Sequence, residues 1–248
     1  MKFLCSDIHG DLDKYMKALD IVGDNELIIV GDVIDRGDNG LDILLDTMNR
    51  DNVTLMMGNH EGMMLDFLFG GGLYGRAWLN PCNGGEITCD AFMKNEKVND
   101  KALSDYLSHL PVSIDFGDVF LVHGMPVPEK MDPNASMNNP VYRYKDDYPD
   151  YYLEQCLWKS LFKEGSLNPI QKKRNRKTTY YVGHVITQYA QDYYGQGKMT
   201  GDSGHEILAI TAKDGSVMYN LDGGCAMCSS ESYLLLYCLD TSEVTHIR

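Results

Sequence analysis

No apolar run in this chain approaches the roughly 18 residues that cross a bilayer, which argues against a membrane helix. Positive charge is also scarce. Against 36 Asp and Glu stand only 22 Lys and Arg, a formal net charge of -14. Broad nucleic-acid binding is thereby disfavoured, because covering a phosphate backbone needs a basic surface. A paired cysteine framework is missing as well. The seven cysteines, an odd number, are scattered at positions 5, 82, 89, 156, 225, 228 and 238, as reduced thiols of a cytoplasmic enzyme would be. Cys225-Ala226-Met227-Cys228 is the only CxxC, and with no second ligand pair it reads as packed cysteine rather than a zinc site, which needs about four ligands. Met1 is followed at once by the apolar run Lys2-Phe3-Leu4-Cys5, so no signal peptide is expected and the expected location is cytoplasmic.

What is present suits a single globular domain. The 248 residues, 44% of them hydrophobic, are enough to bury one substantial core. Apolar, β-rich runs at Lys2 to Cys5, Leu27 to Val30 and Val53 to Met57 alternate with helical patterns over Leu12 to Val22 and Leu41 to Arg50. That order is βαβαβ, hence a parallel sheet. Glu61 to Phe69 and Ala102 to Leu110 read as helices separated by a Gly/Asn-rich stretch, and a helical cap insertion is expected over about 62–110. From Val112 onward the period is two, with strands expected at Val112 to Phe116, Val119 to Val122, Tyr180 to Val182, Glu206 to Thr211, Val217 to Leu221 and Tyr233 to Leu239. Asp214-Gly215 signals a hairpin between two of them. The expected fold class is α/β, a two-layer central β-sandwich flanked by helices. A long loop over the site is expected at about 125–150, where Pro, Asn, Asp and Tyr abound without periodicity. Gln171 to Lys177 is the one basic run, read as solvated loop or as a phosphate-attracting rim.

Three blocks carry chemistry: Asp7-Ile8-His9-Gly10, Gly31-Asp32-Val33-Ile34-Asp35-Arg36-Gly37 and Gly58-Asn59-His60-Glu61. Each directly follows one of the first three apolar runs, where open α/β sheets gather ligands at the carboxyl ends of strands. Hydrolysis of a phosphate ester needs an activated water, neutralisation of the phosphoryl oxygens and a proton for the leaving oxygen. Two divalent ions supply the first two. Asp7, His9 and Asp32 offer donors to one ion, Asp32 being the choice for a carboxylate shared by both, and Asn59 offers a neutral oxygen to the second. His123 in Val122-His123-Gly124 and His184 in Gly183-His184 follow two further strand runs and are candidate imidazole ligands of the second ion. His60 adjoins Asn59 without being needed as a ligand, which makes it the candidate general acid, with Asp35 to orient it. Arg36 can fork onto two phosphoryl oxygens. The remaining histidines, His109, His205 and His246, are read as structural.

These blocks resemble those of the calcineurin-like metallophosphoesterases, in particular the phosphoprotein phosphatase branch with its small bacterial and phage-type serine/threonine protein phosphatases. D-x-H, G-D-x-x-D-R-G, G-N-H-E, H-G and G-H all occur in family order from Asp7 to His184. The resemblance implies one ion held by Asp7, His9 and Asp32, a second by Asp32, Asn59, His123 and His184, a His60/Asp35 acid pair and a phosphate-binding Arg36. It also implies two divalent ions, manganese foremost with iron or zinc as alternatives, and a phosphorylated protein or small phosphate ester as substrate, with neither nucleic acid nor membrane as partner. Asn83-Gly84-Gly85 with Thr88 looks like the N-G-G-x-x-T segment of the small members, and Leu221-Asp222-Gly223-Gly224 like their late D-G-G turn. Two departures stand out. Ser160 occupies the place of the family's second phosphate-binding arginine, with Lys159, Lys163 or Arg143 as possible substitutes, and G-H-T-P is here Gly183-His184-Val185-Ile186. Competing readings are a symmetrical dinucleoside polyphosphate hydrolase of the same fold, disfavoured by Asp35 and Glu61, and a non-catalytic phosphoprotein-binding relative, supported only by Ser160.

Overall fold

The first strand, β1 (Lys2–Cys5), and the next, β2 (Glu26–Ile29), are buried at every position but the first, the pattern of strands covered on both faces. Between them α1 (Leu12–Val22) begins where the Asp11 side chain accepts the Lys14 backbone N–H at 3.0 Å, and it buries Tyr15, Ala18, Leu19 and Val22 along one stripe. Helix α2 (Gly40–Thr47) then leads to β3 (Val53–Leu55). The computed structural model describes residues 1–70, 74–126, 156–160, 177–192, 197–213, 215–227 and 232–248. Between β3 and the next described strand lie α3 (Asn59–Leu65), continued by a π-helical turn over Asp66–Gly70, and α4 (Gly75–Trp78), α5 (Gly85–Lys94) and α6 (Asp100–Ser108). The second half supplies β4 (Ser113–Asp115), β5 (Val119–Val122), β6 (Thr179–Val182), α7 (Thr187–Asp192), β7 (Lys198–Thr200), β8 (Ile207–Thr211), β9 (Val217–Asn220), β10 (Leu234–Cys238) and β11 (Val244–Ile247).

Two mixed sheets result. One is five-stranded in the order β11-β10-β1-β2-β3, the other six-stranded in the order β4-β5-β6-β9-β8-β7. Strands β1, β2 and β3 pair in parallel as expected, but β10 returns antiparallel against β1, Phe3 opposite Cys238. In the second sheet β5, β6 and β9 run parallel while β4, β8 and β7 are antiparallel to their neighbours. Side chains alternate between two cores. Leu4, Ile28, Leu235 and Tyr237 of the first sheet meet Leu121 and Tyr181 of the second. Phe3, Cys5, Leu27 and Ile29 point the other way, into the larger cluster that includes Tyr15, Ala18 and Leu44 of the helices. The α/β sandwich flanked by helices thus matches the sequence reading.

Several elements differ from that reading. Helices α4 and α5 fall within the span where a helical cap insertion was expected, though neither was read individually, and β7, β11 and α7 were not expected at all. Strand β7 is exposed throughout, so no apolar alternation marks it. The β8–β9 hairpin is present, Thr211 opposite Val217, though Asp214 of its turn lies outside the described residues. So do the long loop expected at about 125–150, apart from Met125 and Pro126, and the basic run apart from Lys177. Among the described residues no helix is long and apolar enough to cross a membrane.

Leu121 is fully buried between the sheets. Leu121→Ala is expected to lower stability by roughly 2–5 kcal/mol in urea unfolding, and a loss within experimental error would contradict this placement of the core.

Candidate metal centre

Beyond their last ladder bonds the loops after β1 and β2 stay joined: Asp7 N–H donates to the Gly31 carbonyl at 3.1 Å, His9 N–H to Asp32 at 3.0 Å and Gly10 N–H to Val33 at 2.9 Å. Asp7, His9 and Asp32 are set side by side by this zipper. The backbone is strained to do it. Among the described residues only seven non-glycine positions have positive φ, and six of them are Asp7, His9, Asp32, Asp35, Arg36 and His184. Left-handed backbone costs such residues about 1–3 kcal/mol each and persists only where surrounding contacts over-determine it. Gly58 sits so close to Asp32 that an added Cβ would lie 2.1 Å from its Oδ1. The third block therefore needs glycine before Asn59.

All nine sequence-derived candidates converge. His9 Nδ1–H donates to the Ile34 carbonyl at 2.9 Å, which turns Nε2 toward Asp7 Oδ1 and Asp32 Oδ2 at 3.9 and 3.8 Å. His123 Nδ1–H likewise donates to the Val30 carbonyl at 2.8 Å, leaving Nε2 at 3.2 Å from Asp32 Oδ2 and 3.0 Å from Asn59 Oδ1. In His184 the roles are reversed: Nε2–H donates to the Trp158 carbonyl at 3.1 Å, and Nδ1 faces Asn59 Oδ1 at 2.9 Å. Fixing one ring nitrogen on a backbone carbonyl leaves the other as a lone-pair donor, the arrangement that metal-binding histidines use. His9, Asp32 and His60 present ligand atoms within 4.8 Å of one another, as do Asp32, His123 and His184. Asp32 belongs to both groups. The donor set, carboxylate oxygen, imidazole and amide oxygen, fits two divalent cations sharing Asp32; the first of these groups contains His60, whereas the expected ligand set has Asp7.

Electrostatics agree with a site built for positive charge. Burial pushes Asp7 up to about 6, with Asp32 adding to the rise and His123 opposing it. Burial acts against the Asp32 charge too, yet His123 and His60 hold that carboxyl well below its ordinary range. His123 is pushed up to about 10 by Asp32 and Asp7 in spite of burial. Burial, then Arg36 and His60, hold His9 well below the ordinary histidine range, which keeps its Nε2 lone pair free.

Beside the carboxylates, His60 Nδ1–H donates to Asp35 Oδ2 at 2.6 Å, and both residues are buried. Arg36 Nη2 lies 3.3 Å from His60 Nε2, and the arginine is otherwise exposed. An open cleft of about 490 Å³ is lined by His9, Arg36, Gly37, Asp38, Asp11 and Lys14 among others. Sequence reasoning missed what holds these groups. Glu61, expected only as a motif letter, is fully buried and accepts the N–H groups of Asp32, Val33 and Gly58 at 2.8 to 3.0 Å. Ser6 donates to Asp7 Oδ2 at 2.5 Å, Trp78 donates to Asp35, and Thr88 accepts the Asp35 N–H. Glu61 in G-N-H-E and Thr88 in its N-G-G-x-x-T frame carried a signal as motif letters, Ser6 only as the neighbour of a candidate ligand, and Trp78 none. Asp222 of the late D-G-G turn is buried, and burial and nearby Asp7 raise it well above its ordinary range. Ser160 is buried beside the Trp158 turn that holds His184, while Lys163 and Arg143 lie outside the described residues. Cys225 is a buried free thiol, and Cys228 lies outside the described residues.

Comparisons with known proteins agree with this geometry. The chain is similar in fold to the cold-active protein-tyrosine phosphatase of a Shewanella species, with 19% identity and a TM-score of 0.59 over 100% of this chain and 80% of that one. A metallophosphoesterase from Sphaerobacter thermophilus is similar at 16% identity and a TM-score of 0.55, over 100% and 87% of the two chains. A serine/threonine phosphatase from Saccharomyces cerevisiae is similar at 15% identity and a TM-score of 0.53, over 99% and 78%. At these identities the likeness speaks to fold. A family model described as calcineurin-like phosphoesterase matches residues 3–211, and with the centre described above it shows that this chain belongs to the calcineurin-like phosphoesterases, enzymes that hydrolyse phosphate esters at a divalent metal centre.

Proposed function

We propose that the protein is a phosphomonoesterase of the serine/threonine protein phosphatase type, a single domain in which Asp7, His9 and Asp32 hold one divalent ion and Asp32, Asn59, His123 and His184 hold a second. When bound, the ions supply charge neutralisation and an activated water. The observation that carries the reading is the buried Asp35–His60 pair at 2.6 Å with Arg36 against it. A phosphomonoester with an alkoxide leaving group needs a proton delivered to that oxygen, and a histidine oriented by a carboxylate is the group for the task. His60 Nε2 delivers the proton. In the arrangement described, Arg36 donates to that same nitrogen, so the guanidinium must turn to the phosphoryl oxygens before Nε2 can carry one. Arg36 thus binds phosphate and exposes the acid in one movement. Manganese is the favoured ion among those that mixed Asp, His and Asn ligands accept.

With manganese, purified protein is expected to hydrolyse p-nitrophenyl phosphate and a phosphoserine peptide, and His60→Asn to cut kcat on the peptide by about 10²- to 10⁴-fold. Equal rates in wild type and variant would reject His60 as the acid. Rapid release of ADP from diadenosine tetraphosphate, with phosphopeptides untouched, would replace this reading with the dinucleoside polyphosphate hydrolase.

Metal titration by calorimetry separates the ligand roles. Asp32→Asn is expected to weaken both binding events by tenfold or more, and Asn59→Ala only one, by analogy with the cost of disturbing metal-site partners at roughly 10–100-fold. Unchanged binding of one ion in Asp32→Asn would rule out a shared ligand.

A further inference from the structure

We propose that Trp78 is a positioning residue for the acid: its indole N–H fixes the carboxylate that orients His60. This rests on the reading of His60 as the proton donor. Trp78 Nε1 donates to Asp35 Oδ2 at 2.8 Å, the same oxygen that accepts His60 Nδ1–H at 2.6 Å. Both Trp78 and Asp35 are fully buried, and Asp35 Oδ1 has no hydrogen-bond partner among the described residues. Among the described residues, every side-chain bond of this carboxylate is therefore made through one oxygen. Rotation of the carboxylate would hand the imidazole to the other oxygen and displace Nε2, and the indole N–H is what opposes it. A displacement of an ångström at a proton donor is enough to cost large factors in rate.

The surrounding segment is shaped to seat the indole. An added Cβ on Gly85 would stand 2.5 Å from Trp78 Cδ1 and 2.6 Å from Nε1, so the ring lies directly on glycine backbone. The Phe67 ring packs at 5.4 Å from the indole. Three residues past Gly85, Thr88 Oγ1 accepts the Asp35 N–H at 3.0 Å, and the Gly84 carbonyl accepts the Arg36 N–H at 3.4 Å. Side chain and backbone of the Asp35-Arg36 turn are thus both held from α4, α5 and the turn between them. No residue of this segment touches the metal ligands in these bonds. The Trp78 bond itself reaches the site only through Asp35 and His60.

The test uses manganese-loaded enzyme and three monoesters whose leaving groups need protonation to increasing degrees: p-nitrophenyl phosphate, phenyl phosphate and a phosphoserine peptide. Trp78→Phe keeps the ring and deletes the N–H. It is expected to leave kcat on p-nitrophenyl phosphate little changed and to lower kcat on the peptide about 10- to 100-fold at unchanged KM. An even loss across the three esters would mean lost packing only and would overturn the proposal. His60→Asn run alongside separates the two ideas, because an even loss there rejects the acid assignment itself. Should Trp78→Phe fail to fold, nitrogen-15 NMR of the metal-free protein decides. The chain has two tryptophans, and Trp158→Phe assigns their indole signals. Asp35→Asn is expected to move the Trp78 indole N–H upfield and speed its exchange with solvent; an unmoved signal would overturn the proposal.

Discussion

The Glu61 carboxylate, with no access to solvent, accepts three backbone N–H groups, two from the loop after β2 and one from the loop after β3. Burial and the neighbouring Asp32 charge push this carboxyl up to about 7, and the Asp32 and Val33 N–H groups and His60 oppose the rise. That balance is the constraint on which the centre rests. Without Glu61, three buried N–H groups would lose their acceptor, each at a cost of about 1–3 kcal/mol, and Asp32 and Asn59 would lose their common reference. With it, the ends of two parallel strands are tied to the first turn of α3, which carries Asn59 and His60.

Strain is concentrated in a few residues, of which Asp7, His9, Asp32 and Asp35 are buried. Asp7, His9, Asp32, Asp35, Arg36 and His184 all adopt left-handed backbone, a conformation in which Asp and His are tolerated better than β-branched residues. The loops can hold these shapes because the strands behind them are packed on both faces, Leu4 and Ile28 inward and Phe3 and Leu27 outward. Folding of the sandwich supplies the free energy that such loops consume. The candidate centre lies at the junction of two well-packed sheets, where His123 on the loop after β5 and His184 after β6 meet Asn59, placed by the other sheet.

Legibility in the sequence followed how locally each feature is encoded. The ligand blocks could be read because each sits at the end of an apolar run, and strands such as Lys2–Cys5 and Val119–Val122 fell where alternation and apolarity placed them. The return of β10 beside β1 could not be read, because Phe3 and Cys238 are joined only by tertiary packing. Helix α5 was hidden by the Gly-Gly that opens it and by its weakly amphipathic run. Glu61 was visible as a letter, but its role depends on where three N–H groups point, and composition says nothing of that. Trp78 carried no signal at all: its partner Asp35 lies 43 positions earlier, and indole is ordinarily a core filler.

Ser160 bears on how the centre is divided. The turn that includes it is used structurally: the Trp158 carbonyl holds His184, Gly124 N–H donates to the Cys156 carbonyl at 2.6 Å, and Ser160 is itself buried. Arg36, by contrast, is exposed, borders the cleft and lies 3.3 Å from His60 Nε2. In the proposed roles, phosphate recognition by Arg36 lies beside the proposed proton donor, His60. With Arg36 as the proposed phosphate ligand, one guanidinium would couple the binding of the phosphoryl group to the readiness of the proposed acid. The helices that hold Asp35 and Arg36 from behind thus position, through a single turn, both the proposed phosphate ligand and the proposed acid pair.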